Sequence, residues 1–169
     1  PFLDYVSSLK KKNEGEGALK AIILYPMNAL LDDQAIRFCK AIKEHGLDDP
    51  MIRVGKYTGN DGKQKVMDLK NNKVIDSRDE LCKNPPDILL TNYKMLDYML
   101  LRDKEKTFWN EKTSKYLKYL ALDEMHTFDG ASGADVACLI RRLKHVAYGD
   151  VEKAENQLVC IGTSATLSS

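Results

Sequence analysis

The sequence predicts an α/β fold of three layers, a mainly parallel sheet of about five strands between helices. Short apolar runs rich in β-branched residues alternate with amphipathic stretches of helical length, as in successive βαβ units. The 169 residues are 43% hydrophobic and 30% charged, which suits one core and excludes a disordered or fibrous chain. The apolar runs, such as Ala21-Ile22-Ile23-Leu24-Tyr25, fall far short of the ~20 residues that cross a bilayer. No basic start followed by an apolar stretch marks a signal peptide, so a globular domain with no membrane partner is expected.

Each element has its own signal. Phe2, Leu3, Tyr5, Val6 and Leu9 recur at helical spacing, which predicts a helix over residues 1–12, stopped by the polar, glycine-bearing stretch Lys10 to Gly17. Ala21 to Tyr25 is a buried strand by length and composition, ended by Pro26. Asn28 opens a helix through Glu44, closed by His45-Gly46. Met51 to Tyr57 reads as a second strand, with Thr58-Gly59-Asn60-Asp61-Gly62 as a turn, and Lys63 to Asn84 as a short helix and a loop. Pro85-Pro86 imposes extended backbone on the approach to a third strand, Asp87 to Thr91, before a helix over Asn92 to Leu101. The charge-rich Arg102 to Lys115 reads as a solvated surface element. A fourth strand is expected over Tyr116 to Leu122, a long helix over Asp129 to Tyr148 and a fifth strand over Gln157 to Gly162.

A formal net charge of +1 argues against a domain that coats a whole face with nucleic acid, but leaves room for a local strand-binding groove. Cys39, Cys82, Cys138 and Cys160 lie far apart without a C-x-x-C pair, so neither a zinc site nor a redox motif is expected. Three of them sit in apolar contexts, as core thiols do, and reduced thiols favour the cytoplasm. Lysines 10–12 and those between 104 and 118 read as solvated faces, and His45 and His145 as exposed near helix ends. Phe108 and Trp109 read as a packing anchor, and Arg141 and Arg142 as surface or inter-domain residues.

Ligands of open parallel sheets bind at the carboxyl ends of the strands. The residues that follow the five predicted strands are Pro26-Met27-Asn28-Ala29, Thr58-Gly59-Asn60, Thr91-Asn92-Tyr93, Asp123-Glu124-Met125-His126 and Thr163-Ser164-Ala165-Thr166. All are short, polar or acidic, and all fall on one edge of the sheet. In Asp123-Glu124 the strand runs straight into two carboxylates, a place where nucleoside-triphosphatases hold Mg²⁺ and orient the attacking water. The same pair also suits an acidic turn that opens the next helix.

Asp123-Glu124-Met125-His126 resembles the D-E-x-H box of superfamily 2 (DEAD/DEAH-box) helicases, and Ser164-Ala165-Thr166 their S-A-T motif. Tyr25-Pro26-Met27-Asn28-Ala29-Leu30, followed by Asp33-Gln34, resembles the P-T-x-x-L-x-x-Q motif, and Asp87 to Tyr93 the strand and loop that touch the nucleic-acid backbone. The stretch His126 to Gly133, with Ala137 and Ile140-Arg141-Arg142-Leu143, resembles a branch of bacterial DNA helicases that includes repair and phage-defence enzymes.

The resemblance implies a RecA-like first motor domain over residues 1–169, using ATP and Mg²⁺ and acting on nucleic acid, DNA by the branch. Asp123 would coordinate Mg²⁺ through water and Glu124 would activate the hydrolytic water. His126, Ser164 and Thr166 would couple the γ-phosphate to the nucleic-acid side, and Pro26, Asn28, Gly59, Thr91 and Asn92 would line the track of one strand. Helix N-termini at Asn28 and Asn92 could offer backbone N–H groups to phosphates without net charge.

A G-x-x-x-x-G-K-[ST] phosphate loop is absent from these residues, and the chain opens at Pro1 without Met. The expectation is a piece of a longer protein that lacks the phosphate-loop strand and the second RecA-like domain, and is inactive alone. It leaves the edge of the strand at Gln157 to Gly162 open to pairing between copies. Two alternatives stand beside this reading: a nucleic-acid-binding or scaffold module with the same fold but no ATP turnover, and a metal-dependent hydrolase built on Asp123, Glu124 and His126.

Overall fold

Ala21–Tyr25 (β1) has all five residues buried because both of its faces are apolar, and that places it in the middle of the sheet. In the computed structural model, which describes residues 2–46, 52–59, 74–128, 130–149 and 157–164, β1 is flanked by Ile88–Asn92 (β3) and Tyr119–Leu122 (β4). Val54–Tyr57 (β2) and Val159–Gly162 (β5) complete a five-stranded sheet ordered β2-β3-β1-β4-β5, with every pairing parallel. The register sets Tyr25 beside Asn92 and Leu24 beside both Thr91 and Leu122, so the loops that follow open on one edge.

The side chains of β1 alternate between two cores, as the period of a strand requires. Ile22 and Leu24 point into a core shared with Tyr93–Leu101 (α4) and Gly130–Tyr148 (α6), where Leu96, Leu139 and Leu143 are buried. Ala21, Ile23 and Tyr25 point into a core shared with Phe2–Lys11 (α1) and Asn28–Glu44 (α2), through Val6, Leu31, Ala35 and Ile42. Two short helices, Arg78–Lys83 (α3) and Glu111–Tyr116 (α5), finish the described fold. Among the described residues β5 is the outermost strand beside β4, with Val159 43% exposed and Cys160 also exposed.

Several expectations are corrected. β4 starts at Tyr119 rather than Tyr116, because Glu111 to Tyr116 is helical, and β5 starts at Val159 rather than Gln157. β2 starts at Val54, while Met51, Asn60 to Gly62, most of the stretch from Lys63, Asp129, Ala165 and Thr166 lie outside the described residues. The charge-rich segment is largely exposed, as expected, Lys104, Lys106, Lys112 and Lys115 included, but Asp103–Trp109 forms a 3-10 helix in which Glu105 and Phe108 are fully buried, and Thr113 is buried in α5. Trp109 fulfils the anchor role, donating its indole N–H to the Met99 carbonyl at 3.1 Å.

Lys10 is not a free surface lysine either, since it reaches the buried Asp87 at 3.0 Å. Of the four free cysteines only Cys39 is buried; Cys138 and Cys160 are exposed. His45 and His145 are exposed near the ends of α2 and α6.

The residue least expected in the core is Lys20. It is fully buried at the amino end of β1, where its ammonium donates to Asp87 Oδ1 at 2.5 Å, to the Gly15 carbonyl at 2.7 Å and to the Ala18 carbonyl at 3.2 Å. Burial pulls the Lys20 pKa below the usual lysine range, and Asp87 opposes that shift. Asp87 Oδ2 accepts the Arg53 backbone N–H at 2.7 Å, so one carboxylate ties the starts of β1 and β3 to the approach to β2.

Candidate functional site

The carboxyl edge gathers the loops after β1, β4 and β5 by backbone bonds before any side chain acts. Asp123 N–H donates to Leu24 O at 2.9 Å, Thr163 N–H to Leu122 O at 2.9 Å and Met125 N–H to Thr163 O at 2.7 Å. Glu124 sits between these bonds in the left-handed region, at φ 51° and ψ 48°. A non-glycine residue held there costs on the order of 1–2 kcal/mol, which the flanking bonds sustain. Met125–Thr127 then turns as a short 3-10 helix.

The side chains converge on the same point. Thr163 Oγ1 donates to Asp123 Oδ1 at 2.5 Å, and the other Asp123 oxygen accepts no protein hydrogen bond among the described residues. His126 Nδ1 lies 3.3 Å from Glu124 Oε2 and 3.1 Å from Ser164 Oγ, so the imidazole bridges the β4 and β5 loops. Glu124 and His126 are 34% and 43% exposed in their side chains, open enough to exchange partners. Burial, and next the Asp123 charge beside it, pushes the Tyr25 phenol up to about 12, so it stays a neutral wall of the site.

A second set of contacts links the loops after β1, β2 and β3. Thr91 is fully buried and its hydroxyl donates to Tyr57 O at 2.7 Å. Asn92, 8% exposed, caps α4 by accepting the Met95 N–H at 2.9 Å and donates to Asn28 Oδ1 at 2.5 Å. These two side chains are committed internally, so they would shape a strand track rather than touch it. Asn28 and Gly59 are exposed and Pro26 half-buried, and no side-chain cap forms at the start of α2. Gly59 needs its φ of +78°, and any Cβ there would strike Met95 Sδ.

The sequence motifs thus divide into two adjoining groups. Asp123, Glu124, His126 and Ser164 come together in one, and Asn28, Thr91 and Asn92, with Gly59 against α4, in the other; Thr166 lies outside the described residues. Sequence reasoning missed Thr163 as an orienting residue, although its place directly after β5 was the available signal. It also missed Tyr93, whose ring meets Phe128 edge to face at 6.1 Å and joins the two groups.

The donor set fits Mg²⁺, which keeps most of its waters and is held by one or two carboxylates: Asp123 has one oxygen fixed and one free. It does not fit a protein-caged metal. Among the described residues no group of three or more His, Cys, Asp or Glu converges around Asp123, Glu124 and His126. For the phosphates, the lysine nearest in sequence to β1, Lys20, is buried at the opposite edge and cannot serve.

Comparison with known proteins gives the family. The chain matches the DEAD/DEAH box helicase family over residues 2–169. It is 38% identical over 127 residues to Druantia protein DruE of Escherichia coli, an alignment that covers 68% of this chain and 7% of that protein. To the uncharacterised ATP-dependent helicase YprA of Bacillus subtilis it is 32% identical over 154 residues, covering 88% of this chain and 17% of YprA. The structure of the DUF1998 helicase MrfA bound to DNA and AMPPNP superposes with a TM-score of 0.65 at 28% identity, covering 98% of this chain and 19% of that one. The chain therefore spans less than a fifth of the length of each.

Proposed function

The chain belongs to the DEAD/DEAH box helicase family, and from that membership we propose that it is the first motor domain of an ATP-driven helicase or translocase acting on DNA. The observation that carries the reading is the bridge from Glu124 through His126 to Ser164, set beside the interlocked Asn28, Thr91 and Asn92 loops. That arrangement joins a site for nucleotide chemistry to a surface for one strand. DNA is favoured as the substrate because MrfA, similar over 98% of this chain, is described bound to DNA.

Within the motor, Glu124, beside His126, would orient and deprotonate the attacking water. Asp123, held by Thr163, would hold Mg²⁺ through water. Bound Mg²⁺ supplies the positive charge that developing phosphate charge needs. His126 and Ser164, and Thr166 with them, would report the state of the nucleotide to the strand side. Exposed Asn28, Gly59 and the uncapped start of α2 would receive the phosphodiester backbone, with Thr91 and Asn92 holding them in place. Four free thiols suit a reducing compartment, the cytoplasm.

A second motor domain and a phosphate loop would come from the remainder of a longer parent, a reading supported by relatives of which this chain covers 7% and 17%. The isolated 169 residues would then bind a strand weakly and hydrolyse no ATP. Two measurements test this. Glu124→Gln in the parent should abolish DNA-stimulated ATP hydrolysis while nucleotide binding persists, and surviving hydrolysis removes Glu124 from the role of base. A parent that binds nucleotide and DNA but turns over no ATP would favour the scaffold reading instead.

A further inference from the structure

Glu105 is fully buried in a segment, Asp103-Lys104-Glu105-Lys106, whose composition suits solvent. One carboxylate oxygen accepts the Tyr57 hydroxyl at 2.7 Å and pairs with the Arg78 guanidinium. The other, Oε2, is buried with no hydrogen-bond partner among the described residues. A buried carboxylate with an unmatched oxygen is unfavourable, and an apolar side chain here would avoid that penalty. Packing alone therefore does not account for it.

What Glu105 holds suggests the reason. Tyr57 is the last residue of β2, and it is fixed at both ends: its hydroxyl by Glu105 and its carbonyl by the Thr91 hydroxyl. Burial, then the Glu105 hydrogen bond, pushes the Tyr57 phenol up to about 12, so the hydroxyl remains a donor. Immediately beyond lie Thr58 and Gly59, and Gly59 packs on Met95, the residue whose N–H Asn92 caps. The chain of contacts runs from Glu105 through Tyr57 to the β2 and β3 loops, and on to Asn28 through Asn92.

We propose that Glu105 is a positioning residue for strand binding: through Tyr57 it sets the β2 loop against the β3 loop. This rests on the strand-track reading above. The geometry favours it because the two ends of one tyrosine connect a buried charge to the backbone beside the exposed Gly59.

The test uses the 169-residue chain, fluorescein-labelled oligo-deoxythymidylate and amide hydrogen exchange. Tyr57→Phe should weaken oligonucleotide binding about tenfold, equivalent to ~1.4 kcal/mol. Exchange should quicken at Thr58, Gly59 and Met95 while Ile22 to Leu24 stay protected. Glu105→Gln keeps an acceptor for the Tyr57 hydroxyl and should retain most of the affinity, whereas Glu105→Leu should not. Unchanged affinity and exchange in Tyr57→Phe would overturn the proposal, as would faster exchange spread evenly through the sheet. If the wild-type chain binds no oligonucleotide, the strand-track reading fails, and local exchange at Thr58 and Gly59 still decides whether Glu105 positions the loop.

Discussion

Replacing Lys20 with Met removes a fully buried ammonium from the amino edge of the sheet. Three acceptors lose their donor: Asp87 Oδ1, the Gly15 carbonyl and the Ala18 carbonyl. Taking one partner from a buried ion pair costs about 3–5 kcal/mol. Asp87 keeps Lys10 at 3.0 Å and the Arg53 N–H at 2.7 Å on its other oxygen, which points to the low end, about 3 kcal/mol. At about 2–4 °C per kcal/mol for a domain of this size, Tm should fall by about 6–12 °C in a circular-dichroism melt.

The pH dependence has a definite sign. Lys20 has a folded pKa below its unfolded 10.5, so between the two the unfolded state binds more protons and stability rises with pH. The wild type should therefore gain on Lys20→Met as pH climbs through that window. Adding Asp87→Leu to Lys20→Met removes the stranded charge and should recover part of the loss, as a double-mutant cycle would quantify. A single variant that melts within about 2 °C of wild type, under 1 kcal/mol for this size, would refute the reasoning.

Gly55→Ala should destabilise by about 1–3 kcal/mol in urea unfolding, through overpacking. Its Cβ would lie 2.5 Å from Leu81 Cδ2 and 2.7 Å from Pro86 Cγ, and the backbone has no positive φ to blame. Brief maleimide treatment of the folded chain, read by mass spectrometry, should label exposed Cys138 first, Cys160 more slowly because burial also pushes its thiol up, and spare Cys39, which is buried with its thiol pushed up to about 11. Tyr25 and Tyr57 have folded pKa values raised to about 12, so the stability each contributes is intact below pH 10 and is lost as pH rises toward 12. That loss is about 2–3 kcal/mol per tyrosine, and Tyr25→Phe should flatten the alkaline fall in the urea midpoint.

The strands and their polar ends were legible because each signal is local. Ala21 to Tyr25 and Ile88 to Asn92 are all buried, and the residues after them carry the candidate site. Where reading failed, the partners lay far along the chain. Lys20 needs Asp87, 67 residues on, and Glu105 needs Tyr57, 48 residues back, so no window around either contains the reason for its burial. Cys138 is a different failure. It sits in the apolar run Val136 to Ile140, yet the buried positions Val136, Leu139 and Leu143 step by three and four and turn Cys138 outward. Counting helical phase rather than neighbours would have exposed it.

The two edges of the sheet treat charge in opposite ways. At the amino edge Lys20 and Asp87 are 0% and 4% exposed in their side chains and share several bonds, so exchanging a partner would mean breaking the core. At the carboxyl edge Glu124 and His126 are a third or more exposed and meet through one long contact, with Ser164 a second partner for the same nitrogen. There, water can take over either bond at little cost, so a bound nucleotide could redirect His126 without unfolding anything. If the chain is the motor domain proposed above, that asymmetry suits it: with the strands locked in register at one end, a small exchange of hydrogen bonds at the other would move loops rather than the sheet.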